Sequence, residues 1–180
     1  MLLLAALLVA TPADRRLELK VGTPLIERVE PGTLFVETDG PGLHAELLAS
    51  GELLLEARKP GLSRVFLFSK RLVRVYLVAV GVPLPPEGPG GCEPVVDAKS
   101  YDACRARIGP GEKVVFEPEG LQAQAKAAQV ELDRALLPQV SAGFTPYGLR
   151  LKGARDEPER RRALRAIWPL LLGPLRLDDP

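Results

Sequence analysis

Between residues 17 and 80 the side chains alternate, apolar then polar, in short runs separated by glycine-bearing turns. A period of two belongs to a strand with one face on a core and the other in water. It argues against helix, whose apolar positions recur every three or four residues. Leu17, Leu19 and Val21 alternate with Glu18 and Lys20 until Gly22 stops the run. PGTLFVETDG at 31–40 is a strand between turns, and LHAELLA follows the Asp39-Gly40-Pro41-Gly42 turn. After Ser50-Gly51, Leu53, Leu55 and Ala57 fall on one side and Glu52, Glu56 and Arg58 mostly on the other. SRVFLFS and RLVRVYLVAV complete the series, the second with Val73, Val75, Leu77 and Ala79 on one face and Arg74 and Tyr76 opposite. Short connections predict antiparallel neighbours, so residues 14–80 are expected to form an all-β sandwich or small barrel.

Residues 81–94, GVPLPPEGPGGCEP, are too rich in proline and glycine for a helix or a central strand and read as a semi-rigid linker. Beyond it the period changes. SYDACRARI suits a short helix and KVVFE a brief strand. LQAQAKAAQVELDRALL places Leu121, Ala125, Ala128, Leu132 and Leu136 at helical spacing, with Pro138 as its stop. VSAGFT and GLRLKG read as strands. A second helix then has a legible start, with Asp156 as cap, Pro158 in the first turn and Glu159 three residues after the cap. Ala163, Ala166, Ile167 and Leu170 form its apolar stripe, Pro169 distorts or ends it, and PLRLDD supplies a final strand. The order β-α-β-β-α-β predicts a small α/β sandwich over 95–180, two helices covering one face of a mixed sheet. The fold class is therefore mixed, a β domain followed by an α/β domain, each small enough that docking between them would add stability.

The opening MLLLAALLVATPAD carries an apolar run from Leu2 to Ala10 that ends in small residues and a proline. It reads as the apolar core and cleavage end of an export signal over residues 1–13, without the usual basic start. A buried N-terminal strand or helix is the alternative. The run is too short to span a bilayer, which takes about 20 apolar residues. Export makes a disulfide between Cys92 and Cys104 the expectation for the two cysteines, contributing about 3 kcal/mol for a loop of that length. Two separate buried thiols are the alternative.

The chemistry of catalysis is thinly supplied. A single histidine, His44, sits in a strand-like segment, and a structural or surface role is expected for it. The chain offers too few thiolate and imidazole ligands for a structural zinc site. GPGEK at 109–113 and GPGG at 88–91 lack the spacing and context of phosphate loops and read as turns. No enzyme activity, cofactor or metal is expected. With 46% hydrophobic and 26% charged residues the composition is that of a globular protein, and a net charge of +1 argues against a dedicated nucleic-acid binder. One local excess stands out. From Arg150 to Arg165 seven basic residues face three acidic ones. Arg155, Arg161, Arg162 and Arg165 could form a patch for anionic lipid, cell-wall polymer or an acidic protein surface, or simply a solvated helix face.

LELKVGTPLIERVEPG, ELLLEARKPGLSRVFLF and VRVYLVAV resemble the N-terminal pilus-formation domain of secretins in tight-adherence (Flp-type) pilus systems. Val21-Gly22 and Lys59-Pro60-Gly61 stand at that family's two turns, while Leu62-Ser63-Arg64 replaces its Gly-Thr-Thr-like segment. Residues 140–179 resemble a BON domain, through Leu149-Arg150-Leu151-Lys152-Gly153, Glu159 to Ala166, and Leu175 to Asp178. The resemblance implies a periplasmic or envelope-associated module that helps assemble or anchor a pilus or secretion channel, through contacts to protein, lipid or peptidoglycan. The channel-forming domain of full-length secretins has no counterpart in the sequence, so an accessory, non-enzymatic scaffold is the expectation. The alternative is an envelope binding protein for anionic lipid or cell-wall polymer without a pilus connection.

Overall fold

A computed structural model describes residues 13–85, 118–145, 148–171 and 175–178. Seven strands precede the first described helix: β1 (Arg15–Leu19), β2 (Pro24–Arg28), β3 (Thr33–Thr38), β4 (Leu43–Leu47), β5 (Glu52–Ala57), β6 (Gly61–Ser69) and β7 (Leu72–Val80). Then come α1 (Pro118–Arg134), β8 (Ser141–Phe144), β9 (Gly148–Lys152), α2 (Glu157–Ile167), a 3-10 turn at Trp168–Leu170 that contains Pro169, and β10 (Leu175–Asp178).

The strands make two sheets, and neither closes into a barrel. The larger runs β3-β6-β7-β10-β9-β8, with β1 also on β7; the smaller runs β2-β5-β4. They form the first two of three layers. On one face of the large sheet, Val65, Leu67, Tyr76, Val78 and Val80 pack with Leu43, Leu53, Leu55 and Ala57 of the small sheet. On the other, Phe66, Phe68, Val73, Val75, Leu149, Leu151, Leu175 and Leu177 pack with Ala128 and Leu132 of α1 and Ala163, Leu164 and Ile167 of α2. The burial strings follow. β5 alternates because its outer face meets water, whereas β6 and β7 lie between two layers and are buried almost continuously from Val65 and Val75 onward. Phe66 and Phe68 are fully buried, each contributing about 1.5–3 kcal/mol of transfer free energy.

Several expectations are corrected here. β10 pairs antiparallel with β7 through Leu175↔Val73 and Arg176↔Leu72, so one sheet and one core run through both sides of the 81–94 segment. β1 lies parallel to β7, where antiparallel neighbours were expected. β10 and β1 occupy successive stretches of the same β7 edge, at 72–73 and 76–80. Leu136 is not on the buried stripe of α1. It is 81% exposed with φ 59°, because the helix ends in a Schellman-type turn in which Leu137 N donates to Leu132 O and Leu136 N to Asp133 O. Leu137 and Val140 take the buried places instead. The α-β-β-α-β part of the second half is as expected, with β8–β9 antiparallel, β9–β10 parallel and both helices on one face. The expected strand at 113–117, the helix around SYDACRARI, both cysteines, most of the 81–94 segment and all of the 1–13 segment except Ala13 lie outside the described residues.

Candidate interaction surface

The start of α2 is built as its sequence suggests. Asp156 caps the helix, its carboxylate accepting from Glu159 N at 2.8 Å. Glu159, buried at 5% exposure, accepts from Arg155 N (2.6 Å), Gln139 Nε2 (2.7 Å) and Arg155 Nη2 (2.9 Å). The Arg155 side-chain and backbone donors hold the Glu159 carboxyl down at about 2. Gly153, with φ 89°, closes this corner, since a Cβ there would collide with the Gln139 carbonyl.

Each of the four arginines singled out in the sequence has a partner within the fold, and their side chains stay largely in solvent. Arg155 is tied to Glu159, and Arg161 donates to Glu157 at 3.2 Å. Arg162 donates to the Ala135 carbonyl at the end of α1 (3.3 Å). Arg165 pairs with Glu37 of β3 at 3.2 Å and lies 4.8 Å over the Phe35 ring. These contacts run to α1, to α2 itself and to β3, and three of the four are to carboxylates. The Arg162 and Arg165 contacts tie α2 to the end of α1 and to β3, while the Arg155 and Arg161 pairs are local, so the segment keeps its excess of positive charge.

The two turn motifs, far apart in sequence, do meet. Gly22 N donates to Ala57 O (2.7 Å), and Gly81 N donates to Leu19 O (2.8 Å). A Cβ on Gly81 would sit 3.4 Å from Val21 Cγ2 and 3.8 Å from Pro60 Cβ. Val21-Gly22, Lys59-Pro60-Gly61 and Gly81 therefore form one corner at the end of β1, β5 and β7. It exposes Val21 (48%) and Leu62 (41%) together with Pro60, Lys20 and Lys59. Apolar side chains beside two ammonium groups can hold an apolar side chain of a partner flanked by carboxylates. His44, on the open face of β4, lies 3.8 Å from Glu46 and has no further charged partner among the described residues.

Sequence reasoning missed the charged seam at the β1–β7 junction. Asp14 N donates to Val75 O (2.8 Å), and the Asp14 carboxylate accepts from Val75 N (2.7 Å) and Arg74 Nη1 (3.0 Å). Arg74 also donates to Glu30. Burial pushes the Asp14 carboxyl up, against the Val75 amide and Arg74, which pull it down. The available signal was Arg74 itself, a single charge inside an otherwise apolar strand. Asp39 likewise clamps Arg64 through its backbone N and Nε, the latter at 2.6 Å.

Among the described residues no group of three or more His, Cys, Asp or Glu side chains could hold a metal ion, and no helix is long and apolar enough to cross a membrane. No protein-family model matches the chain, and a search of curated proteins finds no match.

Proposed function

We propose that the chain is a non-enzymatic interaction module of the cell envelope that assists assembly or anchoring of a pilus or secretion channel. What supports this reading is the juxtaposition of Val21-Gly22 with Lys59-Pro60-Gly61 around Gly81. The two turns that carry the resemblance to pilus secretins are joined there into one exposed corner, at the end of three strands, with apolar and basic side chains facing outward. Such an apolar spot with a charged rim is a fitting anchor for a protein partner. The alternative, recognition of anionic lipid or cell-wall polymer, draws on Arg155, Arg161, Arg162 and Arg165, which have partners within the fold but stay largely exposed.

The test is co-purification with the channel protein of a tight-adherence pilus system, comparing wild type with Val21→Asp and with Arg161→Glu/Arg165→Glu. Loss of the complex in the first variant alone, with melting temperature unchanged, is expected. Equal retention by Val21→Asp and wild type would remove the corner from the function.

A further inference from the structure

The face of β8, β9 and β10 opposite the helices is open and basic. Leu149, Leu151, Leu175 and Leu177 point into the helix-side core, so the period of two sends Arg150, Lys152 and Arg176 to the other side. Ser141 stands opposite Lys152 and Gly143 opposite Arg150 across β8–β9, and Gly148 stands opposite Arg176 across β9–β10. Asp178 holds the register position beside Arg150. Ser141, Gly143, Arg150, Lys152 and Arg176 are all exposed. Among the described residues neither Arg150 nor Lys152 has an ion-pair partner. Arg155, Arg161 and Arg165, by contrast, each pair with a carboxylate.

We propose that this face binds an extended acidic segment of a partner protein. Three features select that occupant. The first is charge. Arg150 and Lys152, without ion-pair partners among the described residues, lie among small side chains, and Arg150 offers a planar fork suited to carboxylates. The second is spacing. Arg150 and Lys152 are two residues apart on one strand, about 6.7 Å, which is also the repeat of alternate side chains in an extended peptide. An acidic residue at every second position of the partner would meet both. The third is relief. The small sheet packs on the same face of the large sheet, but only over β1, β3, β6 and β7. Stacked sheets stand about 10 Å apart, so the small sheet forms a wall beside a lower ledge. A flat membrane would meet the wall before it reached the ledge, whereas an extended chain can lie along the foot of it. Among the described residues a single-stranded nucleic acid would find no aromatic side chain on this face on which to stack.

The site is separate from the Val21–Pro60 corner, so Val21→Asp should leave it intact and the two readings fail independently. The experiment measures binding of a labelled peptide of alternating glutamate and threonine at low and high salt, for wild type, Arg150→Glu/Lys152→Glu, the milder Arg150→Gln/Lys152→Gln, and Arg28→Glu on the small sheet as control. Phosphatidylglycerol vesicles, a lysine–threonine peptide and a single-stranded oligonucleotide are the other probes. Binding of the acidic peptide that weakens with salt, falls roughly ten-fold or more on charge reversal and is unaffected by Arg28→Glu is the expected result. Absence of wild-type binding at low salt overturns the proposal. So does equal binding by both Arg150/Lys152 variants with unchanged melting temperature, and so does binding of vesicles or oligonucleotide through these residues in place of the acidic peptide.

Discussion

At Leu136 the backbone takes a φ of 59° while the side chain stays 81% exposed. The left-handed conformation costs an L-residue about 1–2 kcal/mol, and glycine is the residue that usually occupies this place in a Schellman turn. Leu136→Gly keeps the Leu137–Leu132 and Leu136–Asp133 hydrogen bonds and removes that penalty, offset in part by the greater freedom of glycine in the unfolded chain. A gain of about 0.5–1 kcal/mol is expected in denaturant unfolding. A lower midpoint would mean that the leucine side chain holds something of use. Gly153 is the reverse case, a glycine that needs to be one. Gly153→Ala combines a φ of 89° with a collision on the Gln139 carbonyl, and should cost more than about 1–2 kcal/mol. Glu159 gives the residue scale its pH dependence. Its folded value of about 2 lies below its ordinary 4.5, so its contribution is complete above the ordinary value and is lost as pH falls toward 2. Melting curves of wild type and Glu159→Gln should differ at neutral pH and converge between about pH 5 and pH 2. A constant gap would show that the carboxylate charge is not what Arg155 and Gln139 hold.

The β7 edge is where elements compete for hydrogen-bonding groups, and Asp14 marks the junction. β10 takes residues 72–73 and β1 takes 76–80, leaving Val75 to bond the backbone and carboxylate of Asp14. Asp14→Ala leaves the Val75 amide and one Arg74 donor without their partner, a loss of about 1–3 kcal/mol for a bond to a charged group. Because the lost contacts pin the start of β1, amide exchange in Arg16–Leu19 should accelerate more than exchange in β6. Uniform acceleration would place the effect in global stability. What was legible in the sequence follows from how local each signal is. Strand alternation in β5, the Asp156 cap and the α2 stripe depend on neighbours within a turn or two, and all three were readable. The parallel pairing of β1 with β7 and the antiparallel pairing of β10 with β7 join residues about 60 and 100 positions apart, and no local period specifies such a partner. The unbroken apolar runs Val65–Phe68 and Val75–Val80 held a signal for the three-layer arrangement that a period-of-two reading passes over, since a strand that is apolar on both sides needs cover on both. Likewise the Val21–Pro60 corner rests on two turns whose residues could be singled out but whose meeting around Gly81 could not.

At the scale of the whole molecule, the large sheet is continuous from β3 to β8 and carries a core on each face. The helix-side core draws Phe35, Phe66, Phe68, Val73 and Val75 from before the 81–94 segment and Leu132, Leu149, Ile167, Leu171 and Leu177 from after it. Neither group is sufficient alone. Without α1 and α2, the phenylalanines of β3 and β6 would face water; without β6 and β7, the two helices would cover only three short strands. Arg165–Glu37 and the Arg64 donation to the Leu171 carbonyl join the same two parts at the surface. Severing the chain between them should therefore not separate them. A protease site introduced at Gly90–Gly91 and cut to completion should leave two fragments that co-elute in gel filtration and unfold in one transition, with a concentration-dependent midpoint, since folding then includes association. The cut should lower stability at micromolar concentration because rejoining two chains costs translational freedom that the intact chain does not lose. Reduction before the assay keeps a Cys92–Cys104 bond, if formed, from altering the result, and that bond would lie wholly within the second fragment. Two fragments that elute apart, each with its own transition, would show that the β7–β10 pairing and the shared core are too weak to hold the halves together.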